Sequence, residues 1–165
     1  MKNAVIFFLF IIFSTNSLSA QTKSESQVWV KSTVEQYVNK QMYQLLNIYF
    51  DDGGKSMSAV EMLGNKIYYK KMFLKDVNQI TILETSGGYE MRLTCAFKKS
   101  YCCETGLYVP NSTGSVDTIP DKDPKTGMTI YLDRSLKDEN MIARLKKAIS
   151  HLIKLNGGKV ISDTF

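Results

Sequence analysis

Histidine is almost absent from this chain: His151 is the single one in 165 residues, while cysteine and proline number three each and tryptophan one. A protein metal centre gathers several imidazoles, thiolates or carboxylates, so one histidine and no Cys-x-x-Cys spacing argue against a metal ligand set. A side-chain nucleophile needs a neighbouring base, and here only His151 is on offer, with no third residue to orient it. Paired acids of the glycosidase kind are missing too, because Asp51 and Asp52 are chain neighbours followed by Gly53-Gly54, which is turn chemistry. Neither charge sign dominates. The 21 basic and 16 acidic residues leave +5, spread along the chain, an ordinary excess that gives no reason to expect a nucleic-acid partner.

Long apolar runs are confined to one place. Lys2 precedes ten apolar residues, Ala4 to Phe13, where a bilayer span needs about 20. Ser14 to Ser17 turn polar, and Leu18-Ser19-Ala20 puts small residues where a signal peptidase reads them. The expectation is a cleavable signal over 1–20, cut after Ala20, and one globular domain over 21–165 that is secreted or periplasmic. With no second run of spanning length, no stable membrane insertion is expected after cleavage. Cleavage removes Lys2, the one charge in that segment, and leaves 145 residues at +4, enough chain to bury a core. Outside the cytoplasm there is no ATP to use. Gly54-Lys55-Ser56 therefore does not read as a P-loop end, and the first glycine of that pattern is replaced by Tyr49.

An exported chain makes Cys95, Cys102 and Cys103 a disulfide question. An odd count leaves one thiol over. The pairing expected is Cys95 with Cys102 or with Cys103, since a bridge between the adjacent Cys102 and Cys103 is strained.

Along the chain, Gln21 to Gln27 reads as polar and frayed, and Val28 to Gln44 as a first helix with Val30, Val34, Tyr37, Val38 and Gln41 at helical spacing. Tyr43 to Phe50 reads as a strand turning at Asp51–Gly54. Ser56 to Leu63 fits a strand or a short helix capped by Ser58 and Glu61. Strands follow at 66–73, 79–85, 89–97 and 101–109, with Ser86-Gly87-Gly88 as a hairpin turn. Residues 110–127 hold all three prolines and read as a long surface loop. A last strand at 128–132 precedes the clearest element, a helix from Ser135 to Leu155. Its stripe is Leu136, Ile142, Leu145, Ile149, Leu152 and Ile153, and Gly157-Gly158 stops it. The fold class is therefore α+β, a mostly antiparallel sheet or partly open barrel of five to seven strands between an N-terminal helix and a C-terminal amphipathic helix.

Tyr68 to Ile82, a strand leading into Leu74-Lys75-Asp76-Val77 and the next strand, resembles a feature of pleckstrin-homology-like (GRAM-like) barrels. The closing helix Ser135–Leu155 is similar to the one that plugs an end of those barrels. The resemblance spans residues 45–156 and implies a fold. It does not imply lipid binding, because the first hairpin has only Lys55 where lipid-binding members carry a basic cluster. The chain also has the general look of a small secreted bacterial protein.

Several local patterns carry little chemistry. Asp121 to Gly127 is spaced like a calcium loop but has Lys125 at a ligand position. Asn111-Ser112-Thr113 is a glycosylation triplet, and Asp117-Thr118-Ile119 resembles a bacterial O-glycosylation acceptor. The candidate binding surface consists of the aromatics Tyr49, Tyr68 and Tyr69 and the helical stripe Arg144, Lys147, His151 and Lys154. The expected function is a non-enzymatic exported domain that binds a protein, glycan or envelope component, with no cofactor and no metal. The alternatives are a small hydrolase or thiol enzyme built on Cys102, Cys103 and His151, and a carrier of a lipid or small ligand.

Overall fold

The computed structural model describes residues 22–40, 44–95, 102–111, 115–122 and 125–161. The expected signal at 1–20 with its cut after Ala20, most of the glycosylation triplet at 111–113, and part of the calcium-like loop lie outside these residues. Tyr43, Phe97 and Tyr101 lie outside them as well.

Helix α1 spans Lys23–Tyr37, earlier at both ends than its hydrophobic pattern implies. Its start is set by a capping box. The Thr22 hydroxyl accepts from the Glu25 N–H at 3.2 Å, and the Glu25 carboxylate accepts from the Thr22 N–H at 2.7 Å. The polar stretch expected to fray thus becomes the first turn. The helix ends because Val38 turns extended and forms a bridge with Leu132, with the Asn39 N–H donating to the Tyr131 carbonyl at 3.0 Å. Val30 and Val34 are fully buried.

Strands follow as β1 (Gln44–Phe50), β2 (Ser56–Leu63), β3 (Lys66–Phe73), β4 (Val77–Thr85) and β5 (Gly88–Cys95). Then come β6 (Cys103–Pro110), β7 (Val116–Pro120) and β8 (Gly127–Leu132). Ser56–Leu63 resolves as a strand, so the Ser58–Glu61 cap is not used. One turn of 3₁₀ helix, Leu74–Asp76, joins β3 to β4. The loop expected over 110–127 is corrected: β7 lies inside it and pairs antiparallel with β6. It is an edge strand exposed at every residue, so no hydrophobic alternation marked it, and its proline sits at the strand's last position, where no ladder donor is lost.

Two sheets result, one of five strands in the order β1-β2-β3-β6-β7 and one of three in the order β4-β5-β8. Every strand pairing is antiparallel. Among the described residues no strand pairing joins the sheets into a closed barrel. The described residues form an α+β structure with two α-helices.

Residues paired across β2 and β3 share a face. Met57, Ala59 and Met72 lie on the core side with Ile48 of β1 and Cys103 of β6, and all are fully buried. In the small sheet Ile80, Ile82, Met91, Leu93, Met128 and Ile130 form the facing layer. The closing helix begins later than its apolar stripe. Asp133 accepts from the Ser135 N–H and hydroxyl, Arg134–Glu139 coil as 3₁₀ helix, and Asn140 turns left-handed at φ 53°. Helix α2 then runs Met141–Leu155 and ends where Gly157 takes φ +81°. Leu145, Ile149, Leu152 and Ile153 are buried, each worth roughly 1.5–3 kcal/mol over exposure. The helix packs on α1 and β4.

Candidate functional site

The cysteines answer the pairing question. Cys95, the last residue of β5, is bonded to Cys102, which precedes β6, with Cα atoms 5.8 Å apart. The bridge ties the small sheet to the large one. Cys103 is left free and buried, and burial pushes its thiol up to about 11, against a partial pull from the Lys70 charge. A thiol that stays protonated at neutral pH is a weak nucleophile.

The vicinal Tyr68 and Tyr69 point to opposite faces of the large sheet, as strand geometry requires. Tyr69 joins Tyr49 and Tyr108 on the outer face. The Tyr49 and Tyr108 hydroxyls are 3.1 Å apart, and the Tyr69 and Tyr108 rings are tilted with centroids 5.3 Å apart. Burial, reinforced by the Tyr49 hydrogen bond, pushes the Tyr108 hydroxyl up to about 12. Gly106, opposite Tyr69 in the ladder, leaves room for that ring.

Tyr68 instead faces the place where the two sheets part, a groove of about 230 Å³. β2 supplies Glu61, β3 supplies Tyr68, Tyr69 and Lys70, β6 supplies Thr105, and Asp121, Lys125, Gly127 and Thr129 close the other side. Glu61 is 3 % exposed. Its Oε1 accepts from the Lys70 ammonium at 2.7 Å, but its Oε2 has no hydrogen-bond partner. Buried carboxylate oxygens are costly to leave unpaired, so such an atom calls for an explanation. Thr105 donates to Asp121, whose own N–H donates to the Thr105 carbonyl at 2.7 Å, which fixes that wall. The opposite wall is fixed beside the disulfide. The Lys125 N–H donates to the Cys103 carbonyl at 3.1 Å, and the Cys95 N–H to the Thr126 carbonyl at 2.9 Å.

The helical stripe is elsewhere. Arg144 lies over the Trp29 ring at 5.3 Å, and Lys147 and Lys154 are exposed, with His151 half-buried. The structure therefore does not bring Tyr49, Tyr68, Tyr69 and this stripe onto one surface. Glu61 and Lys70 were not singled out from the sequence, although a signal existed. Glu61 has the same strand parity as Met57 and Ala59, a charge on the side of a strand that goes inward.

Among the described residues no group of three or more histidines, cysteines and carboxylates could hold a metal ion, and no helix is long and apolar enough to cross a membrane. Comparison with protein families, with curated proteins and with solved structures finds no match for this chain.

Proposed function

We propose that this chain is an exported, non-enzymatic binding domain, mature from Gln21, that holds a small polar ligand or the end of a larger one in the groove between its sheets. The observation that carries this reading is Glu61, which lines a cavity of ligand size and whose Oε2 is buried without a partner. Export is supported by the Lys2 and Ala4–Phe13 pattern and by a disulfide, which persists outside the cytoplasm. A thiol-enzyme reading finds no support, since Cys102 is bonded and the Cys103 thiol is held protonated. Kinship with pleckstrin-homology-like barrels is a further part of the proposal, supported by the antiparallel two-sheet body and the closing helix α2. An experimental structure tests it, because closure requires an edge strand of one sheet to hydrogen-bond into the other.

The binding reading is tested by thermal unfolding of residues 21–165 against a library of small polar compounds, beside the variant carrying Glu61→Leu and Lys70→Met. A compound at a hundred times its Kd stabilises the native protein by about 2.7 kcal/mol. The double variant should show no such gain. Equal stabilisation of both proteins would move the site elsewhere and overturn the reading.

A further inference from the structure

We infer that the groove takes a neutral polyhydroxylated chain, a saccharide of at least two units. This inference rests on the groove being the binding site, and it adds the ligand's chemistry and length.

Length comes from a second depression of about 400 Å³ on the outer face of the small sheet. It shares Lys125, Gly127 and Thr129 with the first, so the two run into each other across the start of β8. A cavity of about 150 Å³ holds one six-membered ring. The first depression, at about 230 Å³, therefore admits one substituted ring, and the second gives its continuation a place to lie.

Neutrality comes from the charges. Across the two depressions three acids, Glu61, Glu90 and Asp121, are matched by three bases, Lys70, Arg92 and Lys125, and two of the acids are already paired. Lys70 meets Glu61 at 2.7 Å, and Arg92 grips both oxygens of Glu90 at 2.7 Å. Neither pair leaves a net charge to attract an ion, and burying another charge beside a closed pair is costly. What remains unmet is a single acceptor, Glu61 Oε2. A hydroxyl suits it, because it donates there while still accepting from a neighbouring donor. Thr129 on the shared wall is the same kind of two-way partner for the link between units. The Tyr68 ring offers an apolar face to the C–H side of a sugar.

The test is amide-resolved NMR of ¹⁵N-labelled 21–165, titrated with maltohexaose, cellohexaose and chitohexaose, with the matching monosaccharides, and with a Gly-Ser hexapeptide and ethanolamine. At least one hexasaccharide should shift Glu61, Thr105, Thr129 and Arg92 together, and bind about tenfold or more tighter than its monosaccharide. Thr129→Val keeps a β-branched strand residue and should weaken that binding about fivefold, the worth of one hydrogen bond. A monosaccharide that binds as tightly as its hexamer overturns the chain. Shifts at Glu61 from ethanolamine or the peptide, with the sugars silent, overturn the saccharide and leave the groove standing. Silence at Glu61 with every probe overturns both.

Discussion

Lys70→Met strips Glu61 of the ammonium that lies 2.7 Å from its Oε1 and leaves a carboxylate only 3 % exposed with no counter-charge. Breaking a buried pair from one side costs about 3–5 kcal/mol. The low end applies here, because the Lys70 side chain is 25 % exposed and water reaches its position. At roughly 2–4 °C per kcal/mol for a domain of this size, about 3 kcal/mol lowers Tm by about 6–12 °C. Urea unfolding followed by the single Trp29 and by far-ultraviolet circular dichroism measures the loss directly, with the slope on urea unchanged. Adding Glu61→Leu should recover most of it, since an apolar pair of similar volume replaces a buried ion pair at little or no cost. The double variant then folds like the native protein and still fails to bind. A loss below about 1 kcal/mol, the worth of an exposed pair, would refute the reading of Glu61 as buried and singly compensated. So would a double variant no more stable than the single one.

Folded, non-reduced protein should react with no thiol reagent at pH 7, and unfolded non-reduced protein with one equivalent, from Cys103; three reactive thiols would remove the disulfide. Replacing Cys95 and Cys102 by alanine should cost about 2.5 kcal/mol, the loop-closure value for so short a loop, read as a lower urea midpoint. Gly106→Ala should cost more than about 2 kcal/mol, because the new Cβ meets the Ile119 carbonyl and comes 2.7 Å from the Tyr69 ring. Hydrogen exchange should then rise over Val116–Pro120 while β5 and β8 stay protected. Burial alone would raise the Asp51 carboxyl, but bonds from Ser56 and Lys55 and the Lys71 charge hold it below its ordinary range. A depressed value stabilises above the unfolded carboxylate range and is lost as pH falls through the folded value, so stability should drop below about pH 4. Asp51→Asn should flatten that limb in acid unfolding curves.

Much of the scaffold was legible in the sequence, because local chemistry and tertiary demand agree there. The alternation of Tyr89, Met91, Leu93 and Cys95 marks β5, and the stripe from Leu145 to Ile153 marks α2. Where they disagree, the pattern misleads. Apolar spacing placed α1 too late, because its start is written in Thr22 and Glu25, a polar cap. β7 was hidden because an edge strand exposed on both faces has no periodicity to show. The groove was illegible for another reason. Glu61 and Lys70 meet only through the register of β2 on β3, and Thr129 reaches them only because β8 belongs to the other sheet. Tyr68 and Tyr69 both stood out in the sequence, and strand alternation sends their rings to opposite faces while both residues line the groove.

The order of the strands also governs when the molecule takes shape. β6 returns to β3 only after the whole β4–β5 hairpin has been made, and β5 waits for β8, the last strand of the chain. Met128, Ile130, Leu132, Leu145, Ile149 and Leu152, all at most 1 % exposed, arrive within the final forty residues. The hairpins that carry Ile48, Met57, Met72, Met91 and Leu93 come first, but the interior is complete only when these last residues arrive. A polypeptide built this way reaches nearly its full length before its interior can close.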